Sequence, residues 1–225
     1  MKKVAIMQPT YLPWMGYFSL INQVDIFVIY DDVQFDKRSW QQRNKIKNQS
    51  GAQWLTVPVL TKNRSSQKIN DVSIIKESSF EKDHIKAIEI NYSRAPFFKT
   101  YKNEIFDCLE ANHDKILELN YSLILKISNI LNIQTDFIKS SKLKDFQGKK
   151  DERLIEICKE LSATEYVSPE GSKSYLGGGD SFVANDIKLT YQSFKHPIYP
   201  QIHGAFESHM SVIDVLFNCG SDKTF

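Results

Sequence analysis

The sequence predicts an α/β protein: a mostly parallel, Rossmann-like sheet flanked by helices, with a helical insertion or cap. Three observations predict it. Val4 to Met7 is a short apolar run, Ile26 to Tyr30 is a continuous β-branched and aromatic run ending in Asp31 and Asp32, and an apolar segment from Trp14 to Val24 joins them. Neither run alternates apolar with polar residues, as expected of parallel strands buried on both faces. Strand, helix and strand compressed into about thirty residues form a βαβ unit near the minimum size for that motif.

The first run breaks after Met7 at Gln8 and Pro9, so a loop holding Pro9 and Pro13 precedes the helix. Further strands are expected at Trp54 to Val59, Val72 to Ile75, Thr135 to Lys139, Glu165 to Ser168 and Ile187 to Phe194. Phe80 to Tyr92, Pro96 to Ala111 and Asp151 to Leu161 read as helices. Ile116, Leu119, Leu123, Ile127, Ile130 and Leu131 recur at three- and four-residue spacing and read as the core face of an amphipathic helix. The middle helices form an insertion at about 79–132 within a single α/β domain spanning 1–225. The polar stretch Thr61 to Lys68 reads as a loop and Lys139 to Lys150 as a linker.

Composition narrows the function classes. Hydrophobic residues make up 41% and charged residues 25%, which suits a globular protein with a sizeable core. The 29 basic residues are scattered and nearly balanced by 27 acidic ones, so no concentrated basic face for nucleic acid is expected. Cys108, Cys158 and Cys219 are odd in number and lack metal-ligand or CxxC spacing, which suggests plain thiols in a reducing compartment. The apolar start is interrupted too early for a signal peptide, and no stretch is long enough to span a membrane, so a cytoplasmic location is expected.

Chemistry-bearing residues gather in a few segments. The first is QPTYLPWMGYF at 8–18, where ligands of open α/β sheets bind, beyond a strand's C-terminal end. Gln8, Pro9 and Tyr11 are candidates there; a polar amide directly after a buried strand needs a partner. The second is DDVQFDKRSWQQRNKI at 31–46. Asp31 and Asp32 are candidate catalytic carboxylates, and Gln34, Lys37, Trp40, Arg43 and Asn44 candidate ligand contacts. Arg43 can grip a phosphate bidentately, Lys37 offers a point charge, and Trp40 can stack on a ring. Solvated packing with local ion pairs is the plainer reading of the same residues.

The third is YVSPEGSKSYLGGG, in which Ser168, Gly171, Lys173 and Tyr175 are candidate contacts. Glycines let a backbone approach an anion, and hydroxyls with a lysine suit a phosphate, although the spacing is not that of a Walker loop. The five histidines show no HExxH or other metal-ligand spacing, so no metal site is expected. His84 and His196 are the candidate general bases, the latter in FKHPIYPQIHGAF, where Tyr199 and Gln201 are further ligand candidates. No GxSxG elbow or Cys/His nucleophile context supports covalent catalysis.

Together these segments resemble the WbqC-like protein family of bacterial O-antigen and polysaccharide gene clusters. The resemblance also rests on WLTVPV at 54–59, YSRAPFF at 92–98 and HPIYPQIHGAFESHMSVIDVLFNCG at 196–220. It implies a transferase in surface-polysaccharide biosynthesis, moving a glycyl or other aminoacyl group from an acyl donor to an aminosugar nucleotide. The family often carries His where this chain has Met7, so no histidine at that place serves this chain. A more distant similarity links Trp14 to Tyr17 and the GSKS of Gly171 to Ser174 with the HxGH-like and KMSKS-like motifs of HUP nucleotidylyltransferases. The HxGH histidines are missing here. That similarity implies ATP-dependent adenylyl transfer with Mg²⁺ as an alternative, and a non-catalytic sugar-nucleotide-binding or assembly protein is a third. A small-molecule partner is expected in each case, and a homo-oligomer is open.

Overall fold

Along the chain the strands are β1 (Lys3–Met7), β2 (Ile26–Ile29), β3 (Arg43–Asn48), β4 (Gly51–Thr56), β5 (Asp136–Lys139), β6 (Glu165–Ser168) and β7 (Lys188–Tyr191). The helices are α1 (Met15–Ile21), α2 (Phe80–Tyr92), α3 (Phe98–Glu110), α4 (Ile116–Ile130), α5 (Asp151–Glu160), α6 (Asp180–Val183) and α7 (Val212–Cys219). This computed structural model describes residues 1–64, 66–148, 150–174, 176 and 179–223. Contacts divide the chain into two compact units. The first holds Met1–Gln8, Phe18–Asp32 and Ile133–Lys195; the second holds Pro9–Tyr17, Val33–Asn132 and His196–Phe225.

The first unit carries a five-stranded sheet in the order β5-β2-β1-β6-β7, and every neighbouring pair is parallel. The fold is therefore α/β, as expected, with the Ile26 strand internal. Each residue of β2 and of β6 is buried; β2 is accordingly an unbroken apolar run, while β6 also buries Glu165, whose carboxylate accepts from Thr190 Oγ1 at 2.7 Å. Val4, Ile6, Ile26 and Val28 point to one face, where α5 and α6 cover them with Leu154, Ile157, Cys158 and Phe182. On the opposite face Phe27 meets Phe137 edge-on, with ring centroids 6.0 Å apart. Asp25 ties the start of β2 to β1, because its carboxylate accepts from Lys3 N at 2.7 Å and its own N–H donates to Lys3 O.

The second unit differs from the sequence-based expectation at several points. Trp54 does not extend the parallel sheet. It lies in β4, which pairs only with β3 as an antiparallel hairpin in the register Lys45↔Trp54. β3 itself was hidden, since its buried positions are Asn44, Ile46 and Lys47 and only one of them is apolar. Val72 to Ile75 makes isolated bridges, Ile74 to Val59 and Ser73 to Lys115, rather than a strand. α7 is a short helix of eight residues whose polar Asp214 and Asn218 are buried with the apolar ones, so no solvent-facing side marks it. Its Phe217 packs on Tyr92 and Phe98, with centroids 5.4 and 5.2 Å away. Gly220 ends it at φ +82, where a Cβ would come within 3.1 Å of the Phe97 ring.

A buried carboxylate organises this unit. Asp214 of α7 is fully buried and accepts from Tyr92 Oη at 2.6 Å, Tyr199 Oη at 2.9 Å and Gln201 Nε2 at 2.9 Å. Gln201 Oε1 accepts in turn from the buried Lys47 ammonium at 2.9 Å, and Lys47 also donates to Ala205 O. Burial pushes the Asp214 carboxyl above the usual range, against the three donors that favour its ionised form. Asp214→Ala should cost about 3–5 kcal/mol in urea unfolding, because it strands a buried ammonium and three donors. A loss under about 1 kcal/mol would show that the network is not what holds α7 in place.

Candidate functional site

The parallel sheet places five strand ends on one edge of the first unit. After β1 the chain fills one side with β2 and β5, then crosses to place β6 and β7 on the other side of β1. Numbered among themselves the strands run 3-2-1-4-5, so the order reverses between β1 and β6. At such a point the chain segments leaving the two strand ends diverge and open a crevice. Gln8 leaves β1 there, exposed, and Ser168 ends β6, buried.

The turn after β6 is a 3-10 helix, Glu170–Ser174. Ser172 Oγ donates to Pro169 O at 2.7 Å, so Ser168 Oγ supplies the proton of the 2.7 Å bond between the two serines. Ser168 O accepts from Gln192 N, which fixes the end of β7 beside it. Lys173 is half-exposed. Its ammonium lies 3.1 Å from Glu170 Oε1 and 5.2 Å from the centroid of the Tyr191 ring. The Tyr191 hydroxyl is buried and has no hydrogen-bond partner among the described residues. A Cβ at Gly171 would meet nothing within 4 Å, so glycine is not needed there for space. Tyr175 falls outside the described residues.

At the end of β2 the two candidate aspartates play unequal parts. Asp31 is fully buried; Ser141 N and Ser141 Oγ reach its two oxygens at 2.9 and 2.6 Å, and Ser140 Oγ accepts from Asp31 N. It thereby pins β2 to the turn after β5. Asp32 is less enclosed and pairs with Arg153 Nη2 at 2.5 Å, while the guanidinium stands 5.3 Å from the Tyr30 ring centroid. Arg153 Nε is buried without a partner among the described residues. Ser140, Ser141, Arg153 and Tyr191 were not legible as site residues, because only the strand order brings their elements to the same edge.

The other candidates lie in the second unit. Asn44 Nδ2 donates to Tyr11 O and Leu12 O at 3.1 and 2.7 Å, and Tyr11 N donates to Trp40 O, so the loop containing buried Pro9 is stapled to the segment before β3. Gln34 bridges to Lys68. Lys37 Nζ donates to Thr61 O at 3.1 Å beside Arg38 and Gln42. Arg43 stands 4.3 Å over the Trp54 ring, and Trp54 lies 5.3 Å from Trp40. Tyr199 and Gln201 belong to the Asp214 network. His196 donates from Nδ1 to Pro197 O at 2.8 Å and accepts at Nε2 from His209 N at 3.1 Å; burial pushes its pKa down. His84 is buried and accepts from Tyr11 Oη at 2.8 Å through Nδ1, with Thr56 O as its second partner.

Among the described residues no group of three His, Cys, Asp or Glu is arranged to hold a metal ion, and no helix is long and apolar enough to cross a membrane. The family model described as the WbqC-like protein family matches residues 8–225. An uncharacterized protein of Mycobacterium tuberculosis, Rv1507c, is 40% identical over 226 residues, covering 99% of this chain and 96% of its own. No solved structure matches the chain.

The His84 environment makes a pH prediction. Burial pushes its imidazole down from 6.5 to about 4, although the Thr56 carbonyl and the Asp83 charge favour the protonated form. An unfolded chain takes up this proton near the ordinary value and the folded chain only near the depressed one. Stability is therefore lost as pH falls through that window, by roughly 3 kcal/mol in full. Urea unfolding at about pH 7 and pH 4.5 should show a larger acid loss in the natural protein than in His84→Gln. Equal losses would mean that His84 is not held neutral by burial.

Proposed function

The chain belongs to the WbqC-like protein family, and we propose that it is a transferase holding a nucleotide-linked sugar at the carboxyl edge of its parallel sheet. The reaction is transfer of a glycyl or other aminoacyl group from an activated acyl donor to the amine of an aminosugar nucleotide in bacterial surface-polysaccharide biosynthesis: the new amide C–N bond replaces the donor's acyl bond, and the amine's proton is taken up as the donor's leaving group departs. The reversal of strand order between β1 and β6 carries the reading, since Gln8 follows the end of β1 while Ser168 ends β6 and Lys173 lies in the turn after it. Lys173 supplies a point charge for a phosphate, and Gln8 supplies amide donors and an acceptor for a sugar or base edge. The Tyr191 hydroxyl, buried and without a partner among the described residues, would gain one from a polar ligand. Asp32, steadied by Arg153, can accept from the sugar amine or a hydroxyl. The reading asks nothing of His84, whose ring is already bonded to Tyr11 and Thr56.

A second reading, ATP-dependent adenylyl transfer, is favoured by the Gly171–Ser174 sequence lying on this same edge. Lys173 would then meet the triphosphate, with Mg²⁺ carried in on the nucleotide.

Calorimetric titration with UDP-glucosamine, whose amine is free, and with ATP and Mg²⁺ tests both. The sugar nucleotide should bind saturably, and Lys173→Ala should weaken it about tenfold or more, the loss of one charge-assisted contact. ATP binding with pyrophosphate release selects the second reading. Failure of both nucleotides at millimolar concentration removes the nucleotide site.

A further inference from the structure

The second unit contains a cleft of about 440 Å³ between the β3–β4 hairpin end and one side of α2, from Asp83 to Asn91, with His203 at its margin. Its walls are dominated by side-chain amides. Asn48 Nδ2 and Asn91 Nδ2 both donate to Gln53 Oε1 at 3.2 Å, and Asn91 Nδ2 also donates to Ala87 O at 2.8 Å. These bonds fix which way each amide faces. Gln53 keeps its Nε2 donors and Asn91 its Oδ1 acceptor without a protein partner among the described residues. His203 Nε2 donates to Asn91 O at 2.8 Å, which fixes the tautomer and leaves Nδ1 as an acceptor.

The cleft thus offers donors and acceptors in fixed positions, already oriented before any ligand arrives. Its charges are one carboxylate, Asp83, and one ammonium, Lys86, which balance. Ile90, 68% exposed on α2, adds an apolar ledge at the same wall. An anion would find one cation opposed by one carboxylate. A neutral ring bearing hydroxyls has alternating donors and acceptors on its edges and C–H groups on its faces, which matches amides, imidazole and ledge together. The volume falls in the range of small-molecule sites.

We infer that this cleft is a saccharide-binding site for a neutral, unphosphorylated sugar ring, with Gln53, Asn91 and His203 reading its hydroxyls and Ile90 lying against its face. The inference stands on the second unit's residues alone and does not rest on the nucleotide reading. The test is amide chemical-shift titration by NMR of the full chain with the methyl glycosides of glucose, galactose and N-acetylglucosamine, and with inorganic phosphate and glucose 1-phosphate. At least one glycoside should produce saturable shifts clustered at residues 48–53, 83–91 and 203, with a millimolar dissociation constant. Gln53→Glu, which keeps shape and removes the two amide donors, should weaken that binding at least fivefold. Ile90→Asp should do the same, and its exposure makes it safe for folding should Gln53→Glu disturb the hairpin. The inference is overturned if no glycoside shifts these amides saturably, if both variants bind as the natural protein does, or if phosphate or glucose 1-phosphate binds there more tightly than the neutral glycosides.

Discussion

Parallel strands cannot be joined by tight turns, and the architecture of the first unit follows from that constraint. Each strand must be re-entered from the same end, so every carboxyl end faces one edge. The chain uses that edge for its polar residues. Gln8, the two aspartates after β2, the serines after β5 and β6, and Gln192 after β7 all emerge there. The excursions that build the second unit also depart at carboxyl ends, after β1, β2 and β7. The sheet interior can remain apolar because chemistry is displaced to its rim.

Each unit contains a fully buried carboxylate, and each solves the desolvation problem with neighbouring donors. Asp31 uses hydroxyl and backbone donors from the turn after β5, linking two neighbouring strands at their ends. Asp214 uses two phenols and an amide drawn from two sequence-distant segments, Tyr92 from one and Tyr199 with Gln201 from the other, with Lys47 one bond further away. Such groups are conspicuous in sequence for the same reason as catalytic ones, since both are acids or amides in otherwise apolar surroundings. Asp31, Asn44, Tyr199, Gln201 and His84 are among the site candidates, and each has polar atoms bonded within the fold.

How much was legible depended on whether the signal was local. β1 and β2 could be read from unbroken apolar runs, β5, β6 and β7 from short β-branched or aromatic pairs such as Phe137–Ile138 and Tyr166–Val167, and α2, α4 and α5 from their periodicity or their apolar spacing. β3 could not be read, because it buries Asn44 and Lys47, whose value lies in bonds to remote partners: the Tyr11 loop for Asn44, Gln201 and Ala205 for Lys47. α7 is eight residues long, and its polar positions, Asp214 and Asn218, are buried together with its apolar ones, so they mark no solvent face. The segment following β6 was legible as a candidate phosphate loop from its serines, lysine and glycine. Arg153 and Tyr191 were not, since sequence spacing does not reveal that α5 and β7 share an edge with β1 and β6.

If ligand binding is centred on the order reversal between β1 and β6, a ligand seated there restrains the backbone of the segments it touches. Amide hydrogen exchange with and without UDP-glucosamine locates that centre directly. Added protection is expected at Gln8, across 168–174 and at 191–192, with the interior of the sheet unchanged. Protection confined to other segments, with these three indifferent to the nucleotide, would contradict binding at this edge.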